Sequence, residues 1–227
     1  MHPAPATPQM AHPTMPPRRS LLIGSASAAL LLAAGCSPSG KPQGKTLPRE
    51  ATLLCLGDSL TFGYGATPDT SYPQQLEQMT GHVTQNAGVN GDTSEGALAR
   101  LPALLQANRP GLVLVSIGGN DFLRRIPPER TRAALRQLLQ TASASTQVVL
   151  IAQPQPAFMA AAMGSLDDHP VYAQVAGETG VPLFAGGWSE VLSRAELRSD
   201  QIHATAEGYR VFAQRLADWL RKMKFVA

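Results

Sequence analysis

One serine in this sequence has the surroundings of a nucleophile. Ser59 follows an apolar run at residues 52–56 and lies in "GDSL", directly after the acid Asp58. A serine hydroxyl attacks a carbonyl when a base takes its proton, and the base works best when a third group fixes its tautomer. If Ser59 is a nucleophile rather than the polar end of a strand, the chain must also supply a histidine and an orienting acid.

His203 is the candidate base. His82 begins a predicted strand and His169 precedes a proline in a loop, so both are interpreted as solvent-facing residues. His203 differs because Asp200 lies three residues before it, and residues three apart in a turn lie on the same side. The Asp200 carboxylate could then accept from one ring nitrogen while the other faces Ser59. Taken alone, the motif is more typical of an Asp-initiated turn.

Acyl transfer also needs donors for the oxyanion, and removing one typically lowers the rate about a hundredfold to a thousandfold. A glycine allows a backbone N–H to approach the substrate, and an asparagine amide donates without changing the charge. Gly91 and Asn120 supply these two kinds of donor, and the Ser59 N–H is a third candidate. Taken singly, "NG" and "GGND" are common turn sequences.

Short apolar runs alternate with segments of helical periodicity in the second part of the chain. The predicted strands are 52–56, 82–86, 112–117, 148–152 and 182–184, and the predicted helices are 71–80, 93–107, 128–143, 168–179 and 205–222. Unbroken apolar runs of this length are typical of strands buried on both faces of a parallel sheet. We predict an α/β fold: a three-layer α/β/α sandwich with a five-stranded parallel sheet.

Polar motifs follow the first three predicted strands, at 57–59, 90–92 and 118–121. Ligands of such sheets bind beyond the carboxyl ends of the strands, so these motifs should share one edge. The segment 152–170, rich in Pro, Ala and Met, is interpreted either as a lid over an acyl or aryl group or as an irregular surface connection.

Three further features of the sequence carry expectations about local structure. Asp92 is predicted to cap the second helix, with Glu95 reaching back to it. Cys55 lies inside the first apolar run and is interpreted as a small buried hydrophobe. The last helix is expected to turn one stripe towards the core: Tyr209, Phe212, Leu216, Trp219 and Leu220.

The first 50 residues differ in character from the rest. Arg18 and Arg19 precede an apolar stretch at 21–34 and small residues before Cys36, a pattern typical of a secretory signal. The stretch is too short and too interrupted for a predicted membrane span, and a buried apolar helix is the alternative. We predict a signal peptide with an N-terminal extension at 1–35, a flexible tether at 36–50 and one globular domain at 51–227.

The end of the signal, "LLAAGC", resembles a bacterial lipobox, which implies that Cys36 is lipidated and becomes the mature N-terminus. Ala33 stands where such signals usually carry leucine, so cleavage by an ordinary signal peptidase is left open. Ser37, rather than an acid, follows the cysteine, as in lipoproteins sent to the outer membrane. The expectation is an exported, lipid-anchored protein on the periplasmic side of the cell envelope.

Charge and cysteine content exclude several classes of function. Loss of the leader lowers the Lys and Arg count from 19 to 17, against 16 Asp and Glu, so nothing indicates a nucleic-acid partner. With Cys36 lipidated, Cys55 has no partner for a disulfide. No clustering of His, Cys and acids points to a metal or another cofactor.

Four sequence blocks, in order, resemble the signature blocks of the SGNH hydrolases, the GDSL esterase/lipase family. They are "GDSL" at 57–60, "NAGVNGDTS" at 86–94, "GGND" at 118–121 and "DQIH" at 200–203. The resemblance covers about residues 51–220 and implies a flavodoxin-like sheet and no metal. It implies these roles: nucleophile Ser59, acid-base His203, its orienter Asp200, oxyanion donors Ser59, Gly91 and Asn120, and Asp58 as a structural neighbour.

Within the family, "NAGVNGDTSEGALARLPALL" and "VSIGGNDFLR" are most similar to the branch of bacterial arylesterases and acyl-CoA thioesterase/lysophospholipases. This implies a carboxylic ester hydrolase with a small-molecule acyl ester as substrate, thioesters and lysophospholipids as further substrates, and no obligate protein partner. Ala204 stands where many relatives have proline, which affects loop stiffness only. Two alternatives stay open: a carbohydrate or cell-envelope deacetylase with the same site, and a non-catalytic binding lipoprotein.

Overall fold

A computed structural model of the chain describes residues 1–2, 44–156 and 165–227. Within these residues, five strands alternate with eight helices. The strands are β1 (Leu53–Gly57), β2 (Thr84–Gly88), β3 (Leu112–Ser116), β4 (Gln147–Ile151) and β5 (Leu183–Phe184). The helices are α1 (Ser59–Phe62), α2 (Tyr72–Thr80), α3 (Ser94–Asn108), α4 (Gly119–Leu123), α5 (Pro128–Ser143), α6 (Val171–Thr179), α7 (Gly187–Ser193) and α8 (Ala206–Lys222).

The five strands form one parallel sheet in the order β2-β1-β3-β4-β5. Every residue of β1 and β3 is buried, as the unbroken apolar runs predict for central strands. Helices α2, α7 and α8 pack on one face of the sheet, and α3, α5 and α6 pack on the other. The predicted three-layer sandwich is confirmed, and its strand order reverses between β1 and β3.

Helix α8 shows how local sequence signals set the packing. The Thr205 side chain caps its start by accepting from the Gly208 N–H at 3.1 Å, and Arg221 and Lys222 lie in its last turn, where cations complement the helix dipole. Its predicted apolar stripe faces the sheet: Tyr209, Phe212, Leu216 and Leu220 are buried and Trp219 is partly buried. Cys55, as predicted, is completely buried.

The local expectations for Asp92 and His82 were wrong. Thr93, not Asp92, caps α3, because its hydroxyl accepts from the Gly96 N–H at 3.2 Å while the Asp92 carboxylate pairs with Arg100 at 2.8 Å. His82 is buried rather than solvent-facing, at 4% exposure. Its Nδ1 lies 3.2 Å from the Ala51 carbonyl oxygen, and this contact satisfies the ring where β1 and β2 begin.

The first described residues of the domain lie at the amino ends of the strands. The Gly44 N–H donates to the Met223 carbonyl at 2.8 Å, and the Leu47 N–H donates to the Phe225 carbonyl at 2.9 Å. The Gln147 amide, at the start of β4, exchanges two hydrogen bonds of 2.6 Å with the Lys45 backbone. All but the first two residues of the predicted segment 1–35, and Cys36, lie outside the described residues. Among the described residues, no helix is long and apolar enough to cross a membrane.

Replacing Gly88 with alanine is expected to lower the free energy of unfolding by roughly 1 to 3 kcal/mol. The added methyl group would meet the backbone of Thr61 and Phe62, which cannot rotate away as a side chain can. Gly177, on the exposed side of α6, is the matched control: nothing lies within 4 Å of its added methyl group, and alanine should stabilise that helix by roughly 0.5 to 1 kcal/mol. Urea unfolding measures both changes, and equal stabilities would contradict close packing of α1 on β2.

Candidate active site

Three of the predicted site residues form a continuous hydrogen-bonded chain. His203 Nε2 lies 2.9 Å from Ser59 Oγ, and His203 Nδ1 lies 2.7 Å from Asp200 Oδ2. Ser59 and His203 are 144 residues apart in the sequence. The arrangement gives a hydroxyl, a base in contact with it and an acid in contact with that base, which is the geometry needed to activate a serine.

Tight local structure sets the distance between Asp200 and His203. Asp200 Oδ1 accepts from the backbone N–H groups of Ile202 and His203, each at 2.8 Å. This side-chain turn leaves Oδ2 free to meet the His203 ring. Immediately beyond it, Thr205 caps α8, so the histidine lies on the last residues before a long, well-packed helix.

Neighbouring groups lower the pKa of Asp200 and pack against the His203 ring. Burial raises the pKa of Asp200, but hydrogen bonds from the His203 ring and from two backbone N–H groups outweigh it and leave the pKa below its ordinary value. Asp200 therefore stays ionised at neutral pH and can orient the imidazole. The Tyr64 ring packs on His203 at a centroid distance of 4.5 Å, and the Tyr209 hydroxyl donates to the Tyr64 carbonyl at 2.7 Å.

The three predicted oxyanion donors lie on neighbouring loops at the carboxyl edge of the sheet. Ser59 begins α1, Gly91 follows β2 with a left-handed φ of 75°, and Asn120 is in the first turn of α4. Asn120 Nδ2 donates one proton to the Asp92 carbonyl at 3.0 Å. Because an amide nitrogen carries two protons, the second is available to a substrate, and Asn120 lines the cleft beside Ser59.

Two arginines that the sequence reasoning did not identify fix the Gly91 loop. Arg100, in α3, donates to the Asp92 carboxylate at 2.8 Å and to the carbonyl oxygens of Ala87 and Gly57 at 2.8 and 2.9 Å. Arg124, after α4, donates to the Gly91 carbonyl at 2.7 Å. The spacing of Asp92 and Arg100 across two turns of α3 was the available signal for the first of these.

Asp58 is a buried carboxylate next to the candidate nucleophile. Its Oδ1 caps α1 by accepting from the Leu60 N–H at 3.0 Å, and its Oδ2 accepts from the Gln153 side chain at 2.9 Å. Burial raises the pKa of Asp58 to about 6, and the two hydrogen bonds oppose that rise. The carboxylate therefore stabilises the serine loop, as the family resemblance implies, at an electrostatic cost.

A second buried carboxylate fixes the loop of Asn120. Asp121 accepts from the N–H of Ser94 at 3.0 Å, from the Ser94 hydroxyl and from the Thr131 hydroxyl at 3.2 Å. These contacts join α4 to the starts of α3 and α5. His169, predicted to face solvent, instead stacks on Phe122 of α4 with ring centroids 3.8 Å apart, and partial burial lowers its pKa.

Apolar side chains supply half of the residues that line a cleft next to Ser59. It contains about 530 Å³ of space, part of it open to solvent. Its apolar lining is Leu60, Leu123, Pro154, Pro156, Leu166, Leu192 and Ile202. Two arms of the predicted 152–170 loop contribute to it, joined by the bridge between Pro154 and Asp168. Residues 157–164 lie outside the described residues, so a lid there stays a prediction.

Comparison with known proteins shows which family the chain belongs to. Residues 55–211 match the GDSL-like Lipase/Acylhydrolase family. The chain belongs to this family. The matched range begins in β1 and ends within α8, so it contains all of the candidate site residues from Ser59 to His203.

Relatives of this GDSL hydrolase are named as esterases and thioesterases. It is 36% identical over 174 residues to "Thioesterase 1/protease 1/lysophospholipase L1" of Escherichia coli K12, across 75% of this chain and 82% of the relative. It is 30% identical over 176 residues to an arylesterase of Vibrio mimicus, across 75% and 88%. The esterase EstA of Pseudoalteromonas sp. has a similar structure, with a TM-score of 0.67, 25% identity and coverage of 76% of this chain and 98% of that one.

These matches confirm the family that the four blocks resemble and the α/β fold predicted from the pattern of strands and helices. The protein is a carboxylic ester hydrolase of the GDSL type with an α/β fold.

The Asp58→Asn substitution is expected to change how stability depends on pH. Asparagine is an equally good cap, but it removes a carboxyl group whose folded-state pKa of about 6 exceeds the ordinary value of 3.8. The folded wild type therefore keeps a proton that the unfolded chain releases; this stabilisation is complete below about pH 4 and is lost as the pH rises through 6. Between pH 4 and 7 the free energy of unfolding of the wild type should fall by on the order of 2 to 3 kcal/mol relative to that of the variant. Urea unfolding across this range measures the difference, and parallel curves would contradict the raised pKa.

Proposed function

We propose that this hydrolase cleaves acyl and aryl esters through a Ser59-His203-Asp200 triad and an acyl-enzyme intermediate. The observation that carries the proposal is the pair of contacts at 2.9 and 2.7 Å that join the serine hydroxyl, the imidazole and the carboxylate. Thioesters and lysophospholipids are included as substrates, since the Escherichia coli relative bears those activities in its name.

The reaction proceeds in two halves. Ser59 Oγ attacks the ester carbonyl while His203 Nε2 takes its proton, and Asp200 stabilises the imidazolium that forms. The N–H groups of Ser59 and Gly91 and the free proton of Asn120 Nδ2 stabilise the oxyanion. His203 then protonates the leaving alcohol or thiol, and water, deprotonated by the same imidazole, releases the acid from Ser59.

The cleft lining supports an acyl group rather than a sugar as the bound moiety. Leu123 and Ile202 are partly exposed at the cleft, Leu166 is half-buried and Leu192 is buried. An alkyl or aryl chain gains roughly 25 cal/mol for each Å² of apolar surface that it buries there. A sugar would need polar partners for its hydroxyl groups, and outside the proposed catalytic loops and Gln153 the polar side chains of the lining are Gln155 and Gln201.

The first test is the rate of hydrolysis of p-nitrophenyl esters from acetate to palmitate, with wild type and Ser59→Ala side by side. The wild type should be most active at four carbons or longer because the cleft is apolar, and Ser59→Ala should lose at least about a thousandfold, since the nucleophile is removed. Ser37→Ala, outside the described domain, is the matched serine control and should retain full activity.

The ester series distinguishes the proposed esterase from its two alternatives. Activity that survives in Ser59→Ala would refute the nucleophile assignment. Serine-dependent activity confined to acetate would favour the deacetylase alternative. Absence of serine-dependent hydrolysis and of fluorophosphonate labelling would favour the binding lipoprotein.

We also propose that the protein is exported and anchored by lipid on Cys36, on the strength of the lipobox-like sequence before it. A Cys36→Ala variant should move from the membrane fraction to the soluble periplasmic fraction, because it has no thiol to acylate. Ser39→Ala is the matched control in the same segment. Membrane association that is the same in both variants would exclude this anchor.

A further inference from the structure

Gln153 connects two loops of the site through one side-chain amide. It lies two residues beyond β4, at the carboxyl edge of the sheet, and only 1% of its surface is exposed. Its Nε2 donates to Asp58 Oδ2 at 2.9 Å, and its Oε1 accepts from the Gly119 N–H at 2.6 Å. A third, longer contact of 3.3 Å joins Nε2 to the hydroxyl of Ser116.

The two strong contacts end on the immediate neighbours of two residues in the proposed mechanism. Asp58 precedes Ser59 and caps its helix, and Gly119 precedes Asn120. Asn120 in turn donates to the Asp92 carbonyl, next to Gly91. A single amide therefore lies between the nucleophile on one side and two oxyanion donors on the other.

We propose that Gln153 is a positioning residue that fixes the spacing between the Ser59 nucleophile and the Asn120 oxyanion donor. The inference rests on the proposed function of these two residues. Displacement of a reacting group by about 1 Å can lower a rate about a hundredfold, so a link between the two loops affects the chemical step without touching the reacting atoms.

The chemistry of the two neighbours requires an amide at this position. Asp58 presents an acceptor and the Gly119 N–H presents a donor, so the linking group must donate at one end and accept at the other. Leucine has a similar volume and does neither. An ionised glutamate could accept from Gly119 but would place a second carboxylate against Asp58. A protonated glutamate could do both, because its hydroxyl donates and its carbonyl accepts.

The first experiment compares Gln153→Leu with wild type on p-nitrophenyl butyrate at pH 8. We expect kcat to fall at least about tenfold with KM within about threefold, because the transition state loses its aligned donors while substrate binding is retained. The rate of labelling by a fluorophosphonate, which requires the same nucleophile and oxyanion donors, should fall by a similar factor.

Ser116→Ala is the matched control for a general structural effect. It removes the third contact of Gln153 and the hydrogen-bond partner of the Trp188 indole N–H, which lies 3.0 Å from the Ser116 hydroxyl. It leaves Asp58 and Gly119 linked to Gln153. This variant should lose thermal stability and keep kcat within about twofold of wild type.

The Gln153→Glu variant supplies a readout that a merely structural role would not change. The titratable group that faces the new carboxyl is Asp58, whose own charge interacts with His203 and Asp92. Two carboxyls in contact share a proton at a raised pH. The ratio of kcat in Gln153→Glu to kcat in wild type should rise at least about fivefold between pH 8.5 and 6, while the ratio for Gln153→Leu stays level.

Several results would overturn the inference. They are a wild-type kcat in Gln153→Leu, a rise in KM at constant kcat, an equal loss of kcat in Ser116→Ala, and a Gln153→Glu ratio that does not change with pH. If Gln153→Leu does not fold, the Gln153→Glu ratio decides alone. A wild type with no Ser59-dependent hydrolysis removes the proposed function and this inference together, whereas an active wild type with an unaffected Gln153→Leu removes the inference alone.

Discussion

The parallel pairing of β1 with both of its neighbours is the constraint on which the site depends. Gly57, the last residue of β1, is in register with Gly88 at the end of β2 and with Ser116 at the end of β3. The three loops that follow therefore begin side by side and carry Ser59, Gly91 and Asn120. Gly57 itself has no room for a side chain, because a Cβ there would meet Thr61 and the Ser116 carbonyl.

Three charged groups under these loops, two buried carboxylates and one half-buried guanidinium, hold the loops that the strand register places side by side. Asp58, Asp121 and Arg100 each make two or more hydrogen bonds to backbone or side chains of a neighbouring loop or helix. Burying a charge costs free energy unless its partners are in place. The raised pKa of Asp58 indicates that this cost is only partly offset, which is consistent with the general tendency of functional sites to retain unfavourable electrostatics.

Much of the fold was predictable because it follows from local apolar patterns. The ends of the five strands and of the five longer helices lie within about three residues of the positions expected from the sequence. Helices α1, α4 and α7, of four, five and seven residues, were missed, because fewer than two turns show no periodicity. The burial of His82 was not predicted because its ring contacts the Ala51 carbonyl oxygen, just before β1. No pattern in the segment around His82 reveals a contact with this distant part of the chain.

The residues of the candidate site also divide into those that sequence motifs predict and those that they do not. Ser59, Gly91, Asn120, Asp200 and His203 were identified because their motifs follow strands or a turn in a recognisable order. Arg100, Arg124 and Gln153 were not, because each acts through contacts with residues between 8 and 95 positions away in the chain. Asp92 shows the limit most clearly, since its sequence position suits a helix cap, while its carboxylate pairs with an arginine two turns along the helix.

The position at which the upstream chain enters the domain affects how the enzyme can be immobilised or fused to a carrier. Gly44 and Leu47 are hydrogen-bonded beside the start of β4, at the edge of the sheet opposite the cleft. Any support attached upstream of Gly44, such as a resin or a fused carrier protein, therefore joins the domain at its base. The opening beside Ser59 is at the other end of the strands, so substrate and product can exchange on the side remote from the attachment.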